Sequence, residues 1–208
     1  MDLDKLKQKA TSGLRHRVRK VLKARERVID RYLLEDVIFT QLIADPAIHD
    51  VLFIGCAPYT RDYPERFASK HLQTIDIDPA NAPFGSADHL VASFCDIDQF
   101  VAAESFDVIV CNGVIGFGLN DLPSAERAFV AAHKVLRPGG WLIYGWNEDL
   151  SYRPFPPEEI TSLRQFETAV LPPFDEVRHK TYSPLRHVFD FYRKPASAST
   201  VRSADTAA

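Results

Sequence analysis

Glycine and acidic residues of the sequence have the spacing of a nucleoside-binding site. The apolar run at 51–54 ends in Gly55, where the absence of a Cβ lets a ligand approach the backbone. Asp76 ends the next run 21 residues later, and an acidic residue at about this distance accepts hydrogen bonds from ribose hydroxyls in nucleoside-binding α/β folds. Asp96 follows a further run, where its carboxylate can accept from the exocyclic amine of adenine while Ile97 packs on the ring.

Each acidic residue also has a purely structural interpretation. Asp76 can be an ordinary loop residue, and Asp96 can cap a short helix over residues 97–102, because Asp is common at that position. Asp78 precedes Pro79, which is typical of a turn. The residues alone leave these alternatives open.

Short apolar runs alternate with helical segments along most of the chain. Runs that are apolar throughout suit strands buried on both faces, as in a parallel sheet. We predict strands at 51–54, 72–76, 89–94, 106–111 and 141–146, and a hairpin around 175–182 and 187–193. We expect helices at 31–44, from Pro64, at 123–136 and from Pro156. The alternation indicates a right-handed α/β sheet, in which ligands bind at the carboxyl ends of the strands.

The composition is that of a globular domain with a basic N-terminal segment. The 208 residues are 46% hydrophobic, enough for one full domain, and no apolar run reaches the ~18 residues of a membrane span. Residues 1–28 hold ten Lys or Arg against three acids, although the whole chain has a net charge of −3. This segment can be a solvated helix, dock on the acidic remainder or bind an anionic partner. Because it has no aromatic residue to stack on bases, nucleic acid is not the expected partner.

The three cysteines do not form a metal or disulfide pattern. Cys56, Cys95 and Cys111 are odd in number and none is part of a CxxC sequence. We therefore expect reduced, buried thiols and no metal site. No apolar block is followed by a small-residue cleavage site, which favours a cytoplasmic protein. The oligomeric state is open, a homodimer included.

Residues 50–147 resemble class I S-adenosylmethionine-dependent methyltransferases. The resemblance rests on VLFIGCAPYT (51–60), LQTIDIDP (72–79), FCDID (94–98), FDVIVCNGVI (106–115) and KVLRPGGWLIY (134–144). It implies a Rossmann-like, mostly parallel sheet of about seven strands with helices on both faces, an antiparallel last strand and N-terminal helices. It divides the chain into a helical extension (1–45), an S-adenosylmethionine-binding α/β domain (46–194) and a disordered tail (195–208).

The resemblance also assigns a cofactor site. Backbone groups of residues 55–57 would face the amino-acid part of S-adenosylmethionine, Asp76 would hold the ribose, and Ile77 would touch the adenine. Asp96 and Ile97 would complete the adenine pocket. The expected cofactor contacts are Gly55, Cys56, Ala57, Tyr59, Asp76, Ile77, Asp96, Ile97, Asn112 and Gly113.

The first loop departs from the family's acid-x-Gly-x-Gly-x-Gly pattern. Phe53 replaces the acid, and Ala57 and Tyr59 replace the second and third glycines. Pro58 removes one backbone N–H donor. Tyr59 either packs on the sulfonium end of the cofactor, a cation–π contact worth up to about 2 kcal/mol, or fills the site and blocks it. The same substitutions argue against a dinucleotide, because a pyrophosphate needs bare backbone N–H groups.

Methyl transfer is an in-line displacement on an activated methyl group, so the protein mainly aligns the acceptor. A base is needed only where the acceptor must lose a proton, and no catalytic residue is assigned. The residues expected to contact the acceptor are Tyr63, Asn120, Trp146 and Asn147. Since no separate substrate-recognition domain is visible, we predict a methyltransferase acting on O or N of a small molecule.

Three other functions stay open at the level of the sequence. The first is a catalytically inactive partner protein with the methyltransferase fold, whose site Pro58 and Tyr59 have closed. The second is a nucleotide-binding oxidoreductase. The third is a nucleic-acid methyltransferase guided by residues 1–28, which predicts strongly salt-dependent binding.

Overall fold

The computed structural model describes residues 29–183 and 185–196. The basic segment 1–28, and with it most of the predicted helical extension, lies outside the described residues. Nearly all of the predicted tail does so too. The predicted domain boundaries near residues 46 and 194 therefore stay predictions.

Eight strands of the described chain form one sheet. They are β1 (Asp50–Ile54), β2 (His71–Asp76), β3 (Asp88–Val91), β4 (Phe106–Asn112), β5 (Leu136–Asn147), β6 (Glu167–Thr168), β7 (Arg178–Lys180) and β8 (His187–Arg193). Their order is β3-β2-β1-β4-β5-β8-β6, and β7 also pairs with β8. Strands β1 to β5 are parallel, whereas β8 is antiparallel to β5. The predicted Rossmann-like sheet with an antiparallel last strand is confirmed, and β6 is an addition to it.

Helices cover both faces of the sheet, as predicted. Helix α1 covers residues 29–44, with a π-helical segment, Leu33–Ile38, ahead of the α-helical Phe39–Ala44. Helix α2 is Tyr63–Arg66 and α3 is Leu122–Val135. Short 3₁₀ helices occupy other connections, at Pro58–Thr60, Pro79–Phe84, Phe94–Gln99, Leu150–Tyr152, Pro157–Glu159 and Thr161–Gln165. Within the described ranges, no helix has the length and apolar character needed to cross a membrane.

Strand β1 shows why its run is apolar throughout. Leu52 and Ile54 pack in the core that α3 covers, whereas Val51 and Phe53 pack in the core that α1 covers. Side chains alternate between the faces of a strand, so a strand between two helical layers has no solvent face. All four side chains are at most 3% exposed. The central strands are therefore rigid supports for the residues at their carboxyl ends.

Two connections differ from the sequence prediction. Strand β3 ends at Val91 rather than residue 94, because Ser93 caps the following 3₁₀ helix by accepting a hydrogen bond from the Cys95 N–H at 3.2 Å. Asp96 lies inside that helix and is not its cap. Helix α2 begins at Tyr63, one residue before Pro64, with Asp62 at the N-cap position.

Candidate active site

A cavity of about 570 Å³ lies at the carboxyl ends of β1, β2, β4 and β5, with α1 on one side. Its volume is within the range of about 300–1,000 Å³ that is usual for small-molecule sites. The sequence predicted a ligand at this edge of the sheet. The predicted site residues that line the cavity are Gly55, Cys56, Ala57, Tyr59, Tyr63, Asp76, Ile77, Asn112, Gly113 and Asn147.

The ends of β1 and β2 are joined by the Asp76 carboxylate. Its Oδ2 accepts a hydrogen bond from the Cys56 N–H at 2.6 Å, and its Oδ1 accepts one from the Asp78 N–H at 2.7 Å. Gly55 has a φ of +86°, a conformation that favours glycine. A carboxylate offers about four lone-pair sites, so Asp76 retains acceptor capacity toward the cavity while it holds the loop.

The adenine side of the predicted site needs a correction. Ile97 is fully buried in the core on the α3 face and does not line the cavity. Asp96 does not line it either, and one of its oxygens accepts a long hydrogen bond, 3.4 Å, from Gln99. Strand β3 ends early, at Val91, and the 3₁₀ helix that follows directs Asp96 and Ile97 away from the carboxyl edge of the sheet. Ser93 and Phe94 line the cavity in their place.

The unusual first loop leaves the cavity open. Thr60 is buried, and its Oγ1 lies 2.9 Å from the Ala57 carbonyl oxygen and 2.8 Å from that of Phe84. These contacts hold the turn without the glycines of the family pattern. The Tyr59 ring is 47% exposed, lines the cavity and lies 4.2 Å from the Arg31 guanidinium. Tyr59 is therefore part of the wall and does not fill the space.

A polar cluster joins the ends of β4, β5 and β8. His187 Nδ1 lies 2.7 Å from Asn147 Oδ1, and His187 Nε2 lies 2.9 Å from Asn112 Oδ1. Burial lowers the pKa of His187 to about 4, so the imidazole is neutral near pH 7. A neutral imidazole has one donor and one acceptor nitrogen. One amide must therefore present its nitrogen to the ring and the other its oxygen.

Gly145 makes this cluster sterically feasible. A Cβ at this position would collide with the Asn112 amide oxygen and lie 2.9 Å from His187 Nε2. Sequence reasoning missed His187 as a site residue. The signal was available in the antiparallel pairing of the last strand, which sets His187 opposite Asn147.

Two residues predicted to contact the acceptor lie elsewhere. Trp146 is 3% exposed on the α3 face, and its Nε1–H donates to Asp190 Oδ2 at 2.9 Å. Asn120 is exposed just before α3 and does not line the cavity. Side chains alternate between the two faces of a strand, so Trp146 points to the face opposite that of Gly145 and Asn147.

Tyr63 reaches the cavity wall but is almost fully buried. It is 2% exposed, and its hydroxyl donates to Glu35 Oε1 on α1 at 2.8 Å. Burial and the neighbouring carboxylate raise the pKa of Tyr63 well above its usual value. The side chain therefore ties α2 to α1 and stays protonated.

The described residues contain no group of three or more His, Cys, Asp or Glu side chains that could hold a metal ion. Among the cysteines, Cys56 and Cys111 are buried and Cys95 is half-buried. Burial raises the pKa of the Cys56 thiol, which keeps it protonated at the cavity wall.

Residues 52–144 match the profile of a family described as the methyltransferase domain. The matched range runs from β1 through β5 and includes Gly55, Asp76 and Asn112. The resemblance to methyltransferases that the sequence showed is confirmed over this range. One structural neighbour, the N-methyltransferase NodS, was solved in complex with S-adenosyl-L-homocysteine. No curated protein sequence is similar enough to count as a match.

Several solved structures share the fold of this chain. The N-methyltransferase NodS from Bradyrhizobium japonicum WM9 is 23% identical, with a TM-score of 0.57 over 77% of this chain and 96% of that one. The 1,6-didemethyltoxoflavin-N1-methyltransferase from Burkholderia thailandensis is 14% identical, with a TM-score of 0.55 over 90% of each chain. Protein PH0226 from Pyrococcus horikoshii OT3 is 12% identical, with a TM-score of 0.61 over 80% of this chain and 91% of that one.

Proposed function

We propose that this protein transfers a methyl group from S-adenosylmethionine to a nitrogen or oxygen atom of a small molecule. The observation that carries the proposal is the extent of the cavity along the sheet edge. It is lined by Asp76 on β2, Gly55 after β1, Asn112 on β4, Asn147 on β5 and His187 on β8. Four strand spacings of about 4.8 Å make this row about 19 Å long, which leaves room for a nucleoside and an acceptor side by side.

The β1 and β2 end of the cavity fits the nucleoside part of S-adenosylmethionine. Asp76 retains acceptor sites for ribose hydroxyls, and the backbone at Gly55 is open because no Cβ is present. The Ile77 side chain is 64% exposed at the cavity and offers an apolar surface for a base. Tyr59 lines the cavity near α1, and the face of its ring that Arg31 does not cover would contact a sulfonium by cation–π attraction.

The β4, β5 and β8 end fits a polar acceptor. When bound, S-adenosylmethionine supplies a methyl group that is already activated, so the protein needs to orient the acceptor and exclude water. Asn112 and Asn147 each have one amide atom that His187 does not engage. Because the neutral ring takes an oxygen from one amide and a nitrogen from the other, the remaining atoms are one donor and one acceptor. Such a pair would orient an amine or a hydroxyl group.

Two structural neighbours support a nitrogen acceptor. NodS and the toxoflavin-pathway enzyme are both described as N-methyltransferases. The open cavity beside Tyr59 favours an active protein over an inactive partner protein with the same fold. The proline and side chains of the first loop favour S-adenosylmethionine over a dinucleotide, and the cavity size favours a small molecule.

Isothermal titration calorimetry with S-adenosylmethionine and S-adenosylhomocysteine tests the cofactor. We expect one-to-one binding that Asp76→Ala weakens by about 1–3 kcal/mol, because a charged acceptor to the ribose is lost. That loss corresponds to a factor of roughly 5 to 150 in Kd. The matched control is Asp62→Asn, an exposed acid at the N-cap of α2 whose side chain makes no capping bond. It should bind like the wild type.

NADH, titrated in the same way, tests the alternative function of a nucleotide-binding oxidoreductase. Binding of NADH in place of S-adenosylhomocysteine would revive the oxidoreductase alternative. A folded wild-type protein that binds neither S-adenosylmethionine nor S-adenosylhomocysteine would refute the proposed function.

A further inference from the structure

Helix α1 supplies residues to the cavity that the functional site has not used. Asp30, Arg31 and Leu34 line the cavity together with the residues of the sheet edge. Asp30 is half-buried, and its Oδ1 is buried without a hydrogen-bond partner among the described residues. The fold therefore brings a carboxylate to a ligand cavity and leaves part of it unsatisfied.

No ion pair with Asp30 occurs in the part of the chain that the structure describes. The adjacent cation, Arg31, is directed elsewhere: its Nε lies 3.6 Å from Glu35 Oε1 and its guanidinium lies over Tyr59. Burial raises the pKa of Asp30, while the hydroxyls of Thr181 and Ser183 act against this by hydrogen bonding. Within residues 29–183 and 185–196 no cation offsets the cost of this half-buried carboxylate, and a positively charged ligand would do so.

Asp30 lies at the acceptor end of the cavity. The two hydroxyls that act on it belong to the segment that leads into β8, where Thr181 Oγ1 donates to Ser183 Oγ at 3.0 Å. The Thr181 N–H donates to the His187 carbonyl oxygen at 2.8 Å. Asp30 is thus connected through this segment to the strand end that carries His187, opposite Asn147 on β5.

Apolar and aromatic side chains form part of the wall of the cavity that Asp30 lines. Leu34, Tyr59, Phe117 and Leu185 also line the cavity. The Phe117 ring is 59% exposed and stacks on Tyr152 at 5.6 Å. A ligand that satisfies Asp30 is therefore best matched by an apolar or aromatic body that carries a positive charge.

We propose that Asp30 forms a recognition subsite for the ammonium group of the methyl acceptor, and that the acceptor is a small amine with an apolar body. The identification of the ligand as the methyl acceptor rests on the proposed function, whereas the subsite itself rests only on Asp30 and its surroundings. Asp30 is a specificity-determining residue that binds the ammonium and orients the acceptor against the amides of Asn112 and Asn147.

Calorimetry with three probes of similar shape and different charge tests the subsite. The probes are 2-phenylethylamine, which is a cation at pH 7, neutral 2-phenylethanol, and anionic 3-phenylpropanoate. We expect the wild-type protein, saturated with S-adenosylhomocysteine, to bind the amine at least ten-fold more tightly than the alcohol and to bind the carboxylate most weakly. Asp30→Asn should weaken the amine at least ten-fold and leave the alcohol unchanged.

The matched control is Asp36→Asn on the same helix. Asp36 is exposed and pairs with Arg66 at 3.1 Å, outside the cavity. Its loss should leave the order of the three probes unchanged. Circular dichroism of each variant establishes that α1 is folded, and the ranking of probes on the wild type tests the subsite independently of any variant.

Equal binding of amine and alcohol by the wild type, or binding of none of the probes, would overturn the subsite. Undiminished amine binding by a folded Asp30→Asn variant would overturn it as well. The affinity for S-adenosylhomocysteine is measured on the same samples and should be unchanged in Asp30→Asn. If the wild type binds no S-adenosylhomocysteine but binds the amine through Asp30, the proposed function fails while the subsite stands.

Discussion

His187 determines which polar atoms the proposed acceptor end of the cavity offers, although both of its ring nitrogens contact groups within the protein. Both ring nitrogens contact asparagine amides, so the ring is not free to act as a general base. Its neutral state instead decides which amide atom each asparagine turns to the ring. The residue positions Asn112 and Asn147.

The lowered pKa of His187 predicts an acid-sensitive fold. Because the folded chain holds this proton less readily than the unfolded chain, stability from this group is present above pH 6.5 and is lost as the pH falls toward 4. A pKa near 4 against the ordinary 6.5 corresponds to a loss of roughly 3 kcal/mol over that range. Urea unfolding at pH 7, 5.5 and 4.5 measures it.

His187→Gln keeps an amide between the two asparagines but cannot titrate, so we expect a smaller fall in stability. Burial also lowers the pKa of His89 and His133, which remain in the variant, so part of the fall persists. The control is His71→Gln: hydrogen bonds to Asp88 and Asp50 raise the pKa of His71, so its stabilising effect is lost above pH 6.5 instead. An unchanged acid response in His187→Gln would contradict the assignment.

At the level of elements, β5 carries the cluster because one of its positions has no side chain. Asn112 on β4 pairs in register with Gly145 on β5, and His187 follows on the other edge of β5. The two side chains meet over Gly145. A strand with a larger residue there would separate β4 from β8 at the acceptor end.

Gly145→Ala should therefore destabilise the fold by about 1–3 kcal/mol, as overpacking does in a close-packed site. The closest collision is with the Asn112 side chain, so Asn112→Ala should relieve most of the strain and leave the contact with His187. We expect the double variant to be more stable than the sum of the single losses predicts. Urea unfolding of the four proteins measures the coupling, and strict additivity would rule out the collision as the cause.

At the scale of the whole molecule, the two ends of the sheet have separate tasks. The carboxyl ends form the cavity, whereas a charged cluster holds the amino ends of β1 and β4. Arg137 Nη1 donates to Asp50 Oδ2 at 2.8 Å and to Asp107 Oδ1 at 2.7 Å. Asp107 Oδ2 accepts from the His49 and Asp50 N–H groups, which with Arg137 lowers the pKa of Asp107.

Arg137→Gln should lower the free energy of unfolding by about 1–2 kcal/mol. The Arg137 side chain is 38% exposed, so the loss lies between that of a surface pair and that of a buried one. The affinity for S-adenosylhomocysteine should not change, because the cluster does not line the cavity. A weaker affinity for S-adenosylhomocysteine with an unchanged free energy of unfolding would contradict this assignment.

The same cluster explains the most distinctive segment of the sequence, 134–144. Arg137 supplies the charge, and Gly139 has a φ of +77° while its N–H donates to the Lys194 carbonyl oxygen at 2.8 Å. The register between β4 and β5 shifts within this segment. This segment of the resemblance is thus architectural and lies away from the cavity, unlike the segments that contain Gly55, Asp76 and Asn112.

Local patterns were sufficient to predict the central strands and their burial, and to place Gly55 after β1 and Asp76 at the end of β2. An apolar run followed by a glycine or an acid reports on a few neighbouring residues, and the rules for parallel sheets then bring the carboxyl ends together. Ile97 and Trp146 were expected at the site but face away from the cavity, because local sequence does not show to which side a side chain points. For Ile97, a 3₁₀ helix replaces the end of the predicted strand. For Trp146, the alternation of side chains along β5 places the ring on the α3 face of the sheet.

The acceptor end depends on contacts between residues far apart in the chain. Asn112 and His187 are 75 residues apart, and Asp30 is brought to the hydroxyls of Thr181 and Ser183 by the packing of α1 on the sheet. Side-chain types near a strand end do not reveal which distant element will cover them. The resemblance to methyltransferases, the sheet and the proposed nucleoside end could therefore be deduced from residue order, whereas the polarity and charge of the proposed acceptor end follow from long-range packing.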